Sequence, residues 1–390
     1  MAGGLLKRRA VVAVEAEAVE GTAETLVAAD GTMLVYDPSF SPAVERFDRN
    51  PARQYLSRLP AVQGRRAASV SFRTEFKGSG AVATKPAWSD AIMACGFSVT
   101  TVSLATVENL DGNTFQAGEY AKTTGRAKRI RIVGEFSGTQ AHFVVTSGAI
   151  AADDEFTGET SSSTATITLA GTLAGDKGWE YRPDSSTPPS VTVGYYLDGT
   201  RKLMVGARGN VRLETGAVGE PVFMAFEFQG VWQSASDATL LAPSYETTIP
   251  QPFMLVNPTV LGYTSPILGN ISVDMANTVA AREDADKTYG IRSFIITGRA
   301  PTATSDPEFE LVATHDFYGS LATGTTGRSY FEIGTNAGTG QRLTVGMPLC
   351  QYSQIDDSDR EGLAVAGVSM DLLSASVATG DDEIQIAMIT

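Results

Sequence analysis

Twice along this chain the same order of elements is written: a polar loop, an alternating strand, a proline-led helix, then glycine-punctuated strands. The first pass runs through 37–64, 68–77 and 86–96, and the second through 276–290, 291–298 and 307–324. Internal repetition restricts the fold more than any single segment does, because each repeat has to be one supersecondary unit. A length of 390 residues leaves room for two or three domains. Gly 39 and Pro 17 suit many strands joined by tight turns better than a helical bundle.

The strand pattern is clearest at 68–77. Val70, Phe72, Thr74 and Phe76 share one face, while Ser69, Ser71, Arg73, Glu75 and Lys77 share the other. One face of that sheet belongs in a core and the other in water. Pro86 then sits where a first helical turn loses nothing by lacking an N–H. Trp88, Ala91, Ile92 and Cys95 follow at helical spacing, and Gly96 supplies the stop. Further strands are expected at 128–133, 191–196, 202–205, 211–213 and 222–228, with Asp198-Gly199 as a hairpin turn. In the second pass Asp306-Pro307-Glu308 is expected to cap a helix burying Phe309, Val312, Ala313, Phe317 and Leu321, with His315 and Asp316 on a solvated face. A last strand puts Ile384, Ile386 and Met388 on one face.

These readings divide the chain into a first β domain over 1–136 and 190–233, a small Ser/Thr-rich β insertion over 137–189, a linker over 234–252, and a second β domain over 253–390. A surface loop absorbs such an insertion at little entropic cost.

Composition narrows the chemistry. Cys95 and Cys350 are too few for a zinc cluster or a disulfide framework and read as buried thiols, and His142 and His315 stand apart from each other. The glycines at 78 and 80 precede the helix start by too much to form a dinucleotide loop. Asp356-Asp357-Ser358-Asp359 has Glu361 and Gly367 where a calcium loop needs Gly and Glu. Nothing marks one carboxylate pair for glycoside hydrolysis, so no catalytic residue, metal ligand or cofactor is expected. The longest apolar runs are too short for a helical membrane span. The amino terminus lacks a secretory order of charge and apolar residues, so synthesis and retention in a cytoplasm are expected.

The net charge of −14 is uneven. Residues 241–390 hold 7 Lys/Arg against 18 Asp/Glu, whereas 44–66 carries six arginines against Glu45 and Asp48. So acidic a chain is no general nucleic-acid binder. A basic loop on an acidic body suits docking onto another copy of itself. Phe40, Phe47, Tyr55, Leu56 and Leu59 lie among those arginines, giving the loop something to bury.

The Pro/Arg loop, the strand at 68–77, the segment Pro86-Ala-Trp-Ser-Asp-Ala-Ile-Met-Ala-Cys-Gly-Phe97 and Gly206-Ala-Arg-Gly-Asn210 together resemble the tail tube proteins of long-tailed bacteriophages. Phe156-Thr-Gly-Glu-Thr-Ser-Ser-Ser-Thr-Ala-Thr166 is similar to a small β element of phage structural proteins. The resemblance covers the first ~240 residues best. It implies a mainly β chain with two tandem β-sandwich or barrel domains, each flanked by a helix. Sheets shared between copies would close into a ring, and rings would stack into a hollow virion tube that conducts DNA. Three chains would make a pseudo-sixfold ring, with six chains as the alternative. Tail terminator, tape measure and tail-tip proteins would be the other partners. Arg46, Arg49, Arg53, Tyr55, Arg58, Arg65 and Arg66 are the expected contacts between rings. The alternatives are a tail-tip or distal tail protein with tandem tube domains, and a carbohydrate-binding or glycan-cleaving β-protein.

Overall fold

The computed structural model describes residues 4–123, 127–136, 138–151, 153–167, 177–186, 188–334, 341–377 and 379–389. Among the described residues the protein is mainly β, with two short α-helices and a single 3-10 turn at Ala28–Gly31. In chain order the first half contains β1 (Ala10–Ala16), β2 (Val35–Phe47), β3 (Val62–Glu75), α1 (Ser89–Met93) and β4 (Phe97–Thr101). Six short strands follow: β5 (Ser103–Glu108), β6 (Tyr120–Thr123), β7 (Arg129–Ile132), β8 (Gln140–Ser147), β9 (Glu155–Gly158) and β10 (Thr164–Ile167). Then come β11 (Gly178–Pro183), β12 (Val191–Leu197), β13 (Thr200–Glu214), β14 (Phe223–Trp232) and β15 (Ser236–Asp237). The second half contains β16 (Thr259–Val260), β17 (Tyr263–Thr264), β18 (Leu268–Asp274), β19 (Asn277–Glu283), β20 (Ile291–Arg299), β21 (Thr302–Pro307) and α2 (Phe317–Thr323). It ends with β22 (Thr326–Ile333), β23 (Arg342–Arg360), β24 (Leu363–Leu372) and β25 (Gln385–Ile389).

Seventeen strands belong to one branched antiparallel sheet. One limb runs β1, β12, β13, β14, β3, β2, following antiparallel registers throughout. At its far end β13 also pairs with β18, which leads through β21 and β24 to β23. The near half of β23 pairs with β22 on one side and β25 on the other, and β25 passes the sheet to β11 and β4. Strands from both halves therefore alternate in one sheet, and one core runs from Val12, Phe72 and Phe226 to Val273, Phe331 and Met388. The halves were expected to close separately. They interlock instead, because β25 is buried on both faces and needs β11 beside it.

Val70, Phe72, Thr74 and Phe76 are buried as the alternation at 68–77 requires, and Phe72 lies 5.5 and 6.0 Å from Phe226 and Phe228, but Glu75 and Lys77 on the expected wet face are buried as well and pair with each other at 2.9 Å. The proline-led segment holds α1, shorter than its 86–96 span, with Trp88, Ala91, Ile92 and Cys95 in the core. Trp88 Nε1 donates to Lys77 O at 2.9 Å, satisfying the one polar atom of a fully buried indole. The hairpin at Asp198-Gly199 has φ of 38° and 109°, the left-handed pair that a tight two-residue turn demands.

The second helix differs from expectation. Asp306 lies in β21, where its Oδ1 accepts from the Gly269 and Asn270 amides, so it caps no helix. Asp316 takes that role, accepting from Gly319 N at 2.8 Å, and Gly324 ends α2 at φ 66°. Phe309, Phe317 and Leu321 still pack on the core, whereas Val312 is exposed. His315 is half-buried rather than solvated, stacked 4.9 Å from Tyr263 and bonded to the Tyr352 hydroxyl at 3.1 Å.

The small β unit begins earlier than 137. β5, β8, β7, β6, β9 and β10 close into a six-stranded barrel over 103–167, while β11 lies outside it in the main sheet. Its entry and exit are neighbours: Val102 N donates to Gly178 O, and Lys177 N returns to Val102 O, both at 2.9 Å. The barrel has its own core of Phe115, Ile130, Ile132, Phe143, Phe156 and small residues. The expected linker at 234–252 contains the two-residue strand β15 and is strapped to the body by the buried Lys77 ammonium, which donates to Thr248 O at 3.0 Å.

Candidate assembly surface

β2 and β3 form a hairpin whose outer half leaves the body. Pairing continues to Phe47 and Val62, and residues 48–61 make the tip. Every side chain from Arg46 to Arg58 is exposed, and Leu56 is 105 % exposed. An alternating strand with a core to meet buries one face; here both faces of the outer half are exposed. β2 is also an edge strand, since among the described residues β3 is its one partner. Pro38 and Pro42 fit only an edge, because neither has a ladder donor to offer. Asp37, at φ 49°, marks the register break beside Pro38.

The root of this arm is braced. The Arg65 guanidinium pairs with Glu45 across the hairpin and with Glu283 of β19, and that bond holds the Glu45 carboxyl below the usual carboxylate range. Arg66 lies 5.1 Å over the Tyr289 ring, and its amide donates to Tyr289 O at 3.3 Å. Gly290, at φ 70°, lets the turn between β19 and β20 come close: a Cβ there would sit 2.9 Å from Arg65 Cγ. Beyond this brace the arm is on its own.

The seven expected contact residues thus fall into two groups. Arg46, Arg49, Arg53, Tyr55 and Arg58 are brought together on the projecting part. Among them Arg46 meets Asp48 at 3.3 Å with both side chains more than half exposed, and Arg53 reaches Ser57 Oγ at 3.4 Å. Arg65 and Arg66 instead stiffen the root. The sequence signal for that split is the pair Glu45 and Glu283, whose closeness across 238 residues no local pattern shows.

Other conspicuous residues are engaged in holding the fold. Arg208, from the Gly206–Asn210 segment, is buried and donates to Pro188 O at 2.9 and 3.1 Å and to Glu20 at 2.8 Å, tying β13 to two loops. Asp381 and Glu383 share Arg299, and Asp382 accepts from Ser374 Oγ at 2.7 Å. Asp154 holds Lys128 at 2.7 Å. Among the described residues no group of His, Cys, Asp and Glu has the geometry of a metal site. Burial pushes the Cys350 thiol up to about 12 and raises that of Cys95 as well. His142 is pushed down to about 4, by burial first and the Arg342 charge second.

Two cavities bear on binding. The barrel interior holds about 10 Å³, no more than one water requires, so its side chains fill it. A groove of about 730 Å³ runs between the start of β1 and the start of β2, lined by Lys7, Arg8, Tyr36, Asp37 and Pro38. It separates the two free edges of the first limb, which approach without hydrogen bonding to each other. No helix among the described residues is long and apolar enough to cross a membrane. No known protein family matches this chain, and no curated protein does.

Proposed function

We propose that this chain is a structural subunit that assembles with copies of itself, and that its assembly is the tail tube of a long-tailed bacteriophage. The observation that carries the assembly reading is the arm: a braced hairpin whose outer residues, basic and apolar, are exposed on both faces. Its tip alone holds three arginines together with Tyr55 and Leu56. Ordering that segment costs conformational entropy that no contact within the chain repays. Contacts to a neighbouring copy would repay it. The resemblance of the first ~240 residues to tube proteins supplies the phage part of the reading.

In this reading the two interlocked halves of each chain each stand in for one tube-like unit, so that three chains make a ring with pseudo-sixfold symmetry. Free sheet edges such as β1 and β2 join those of neighbours, removing the hazard of open edges. Rings stack through the arms. The chain's charge of −14 gives the bore a wall that repels phosphate, so DNA slides without being held. The protein is then made in the host cytoplasm and ends in the virion, beside terminator, tape measure and tail-tip proteins. No catalytic step is assigned to it.

Purified protein examined by negative-stain electron microscopy tests this. Stacked rings with an open bore are expected. A single ring that never stacks would favour a tail-tip role, and a monomer under all conditions would end the proposal.

A further inference from the structure

The arm lacks a stated acceptor, and the second half of the chain presents one. The turn between β21 and α2 leaves residues 310–314 exposed, with Leu311 78 % and Val312 71 % exposed. Beside it lies the tip of the β23–β24 hairpin, with Leu363 54 % exposed. The two are one surface: Phe309 N donates to Ala364 O at 3.1 Å, Phe309 stacks 5.8 Å from Tyr318, and Tyr318 bonds to Asp357. The same segments carry the exposed carboxylates of Glu310, Asp356, Asp359 and Glu361. Arg360 is the one cation in these segments, and Asp306 and Glu308 already hold it at 3.2 and 2.7 Å.

Deepening the proposed self-assembly, and resting on it, we infer that the tip of the β2–β3 arm of one copy docks on this acidic, leucine-studded face of the next. Both surfaces combine exposed apolar residues with one sign of charge, and the signs are opposite. An acidic face alone would also suit a wall that repels DNA. Leu311, Val312 and Leu363 would gain nothing there, whereas Tyr55 and Leu56 can cover them. The arm and its acceptor are different surfaces, so the contact is heterologous and propagates from copy to copy instead of stopping at a twofold dimer.

Charge exchange in the full-length chain tests this, with assembly read by analytical ultracentrifugation. Asp356→Lys/Asp359→Lys/Glu361→Lys is expected to raise the concentration needed for assembly by roughly tenfold or more, as is Arg49→Glu/Arg53→Glu/Arg58→Glu. Combining the six substitutions in one chain is expected to restore assembly. All six positions are exposed, and unchanged thermal unfolding of each dispersed variant confirms an intact fold. Wild-type assembly left unaltered by the acceptor substitutions, or a six-fold variant no better than the triple ones, overturns the docking pair and leaves self-assembly standing. A wild-type chain that never assembles overturns both.

Discussion

Arg131 and Glu180 meet where the six-stranded barrel joins the main sheet. Glu180 is fully buried, Arg131 Nε donates to it at 2.8 Å, and Gln385 Nε2 reaches Ile132 O at 2.9 Å from the other side. Removing one partner leaves the other charge buried and unpaired, which costs about 3–5 kcal/mol. Arg131→Met is expected to lower stability by that amount in urea unfolding; a loss below 1 kcal/mol would show the pair to be solvated. Glu15 behaves differently. Burial, with the Asp30 and Asp90 carboxylates nearby, raises it to about 6. An acid whose folded value lies above its ordinary 4.5 is most favourable below that value and loses this advantage as pH rises through 6. Glu15→Gln should therefore raise the melting temperature at pH 7.5 and leave it nearly unchanged at pH 4. An equal shift at both values would trace the effect to packing.

At the scale of elements, strands and turns with a local code were legible. Val70, Phe72 and Phe76 announced β3 by alternation, Asp198-Gly199 announced a hairpin, and Trp88, Ala91 and Ile92 announced a buried helical stripe. What failed depended on distant neighbours. Pro307 looked like a helix start until the pairing of β21 with β18 and β24 claimed it for a strand. The barrel's first strands carry the same short alternation as the main sheet, so composition placed the insertion boundary too late. The arm reads from sequence as a long polar loop, because a hairpin exposed on both faces lacks the half-buried pattern by which strands are recognised. Since residues 48–58 are all exposed and Phe47 already pairs with Val62, replacing residues 48–61 by Asn-Gly should close β2 onto β3 with a two-residue turn. The melting temperature of the dispersed chain should stay within a few degrees while assembly is lost. A large drop in melting temperature would mean that the tip belongs to the core.

For the whole molecule, interlocking decides what unfolds together. β4 and β11 flank the barrel in sequence and pair with each other, and β11 also pairs with β25 from the far end of the chain, so the two halves share one core and not merely a linker. Trp88→Ala, at the bottom of that core, is expected to cost about 3–5 kcal/mol and to shift a single transition. Two separated transitions, with the second unmoved, would indicate independent halves. The same architecture leaves β1 and β2 as sheet edges and holds the arm out from them, an arrangement that the proposed assembly would complete. The mass of the smallest stable particle, measured by native mass spectrometry on purified protein, tests this most directly. Three chains per particle are expected, with stacked multiples at higher concentration. A single 41.1 kDa species at every concentration and salt would contradict it.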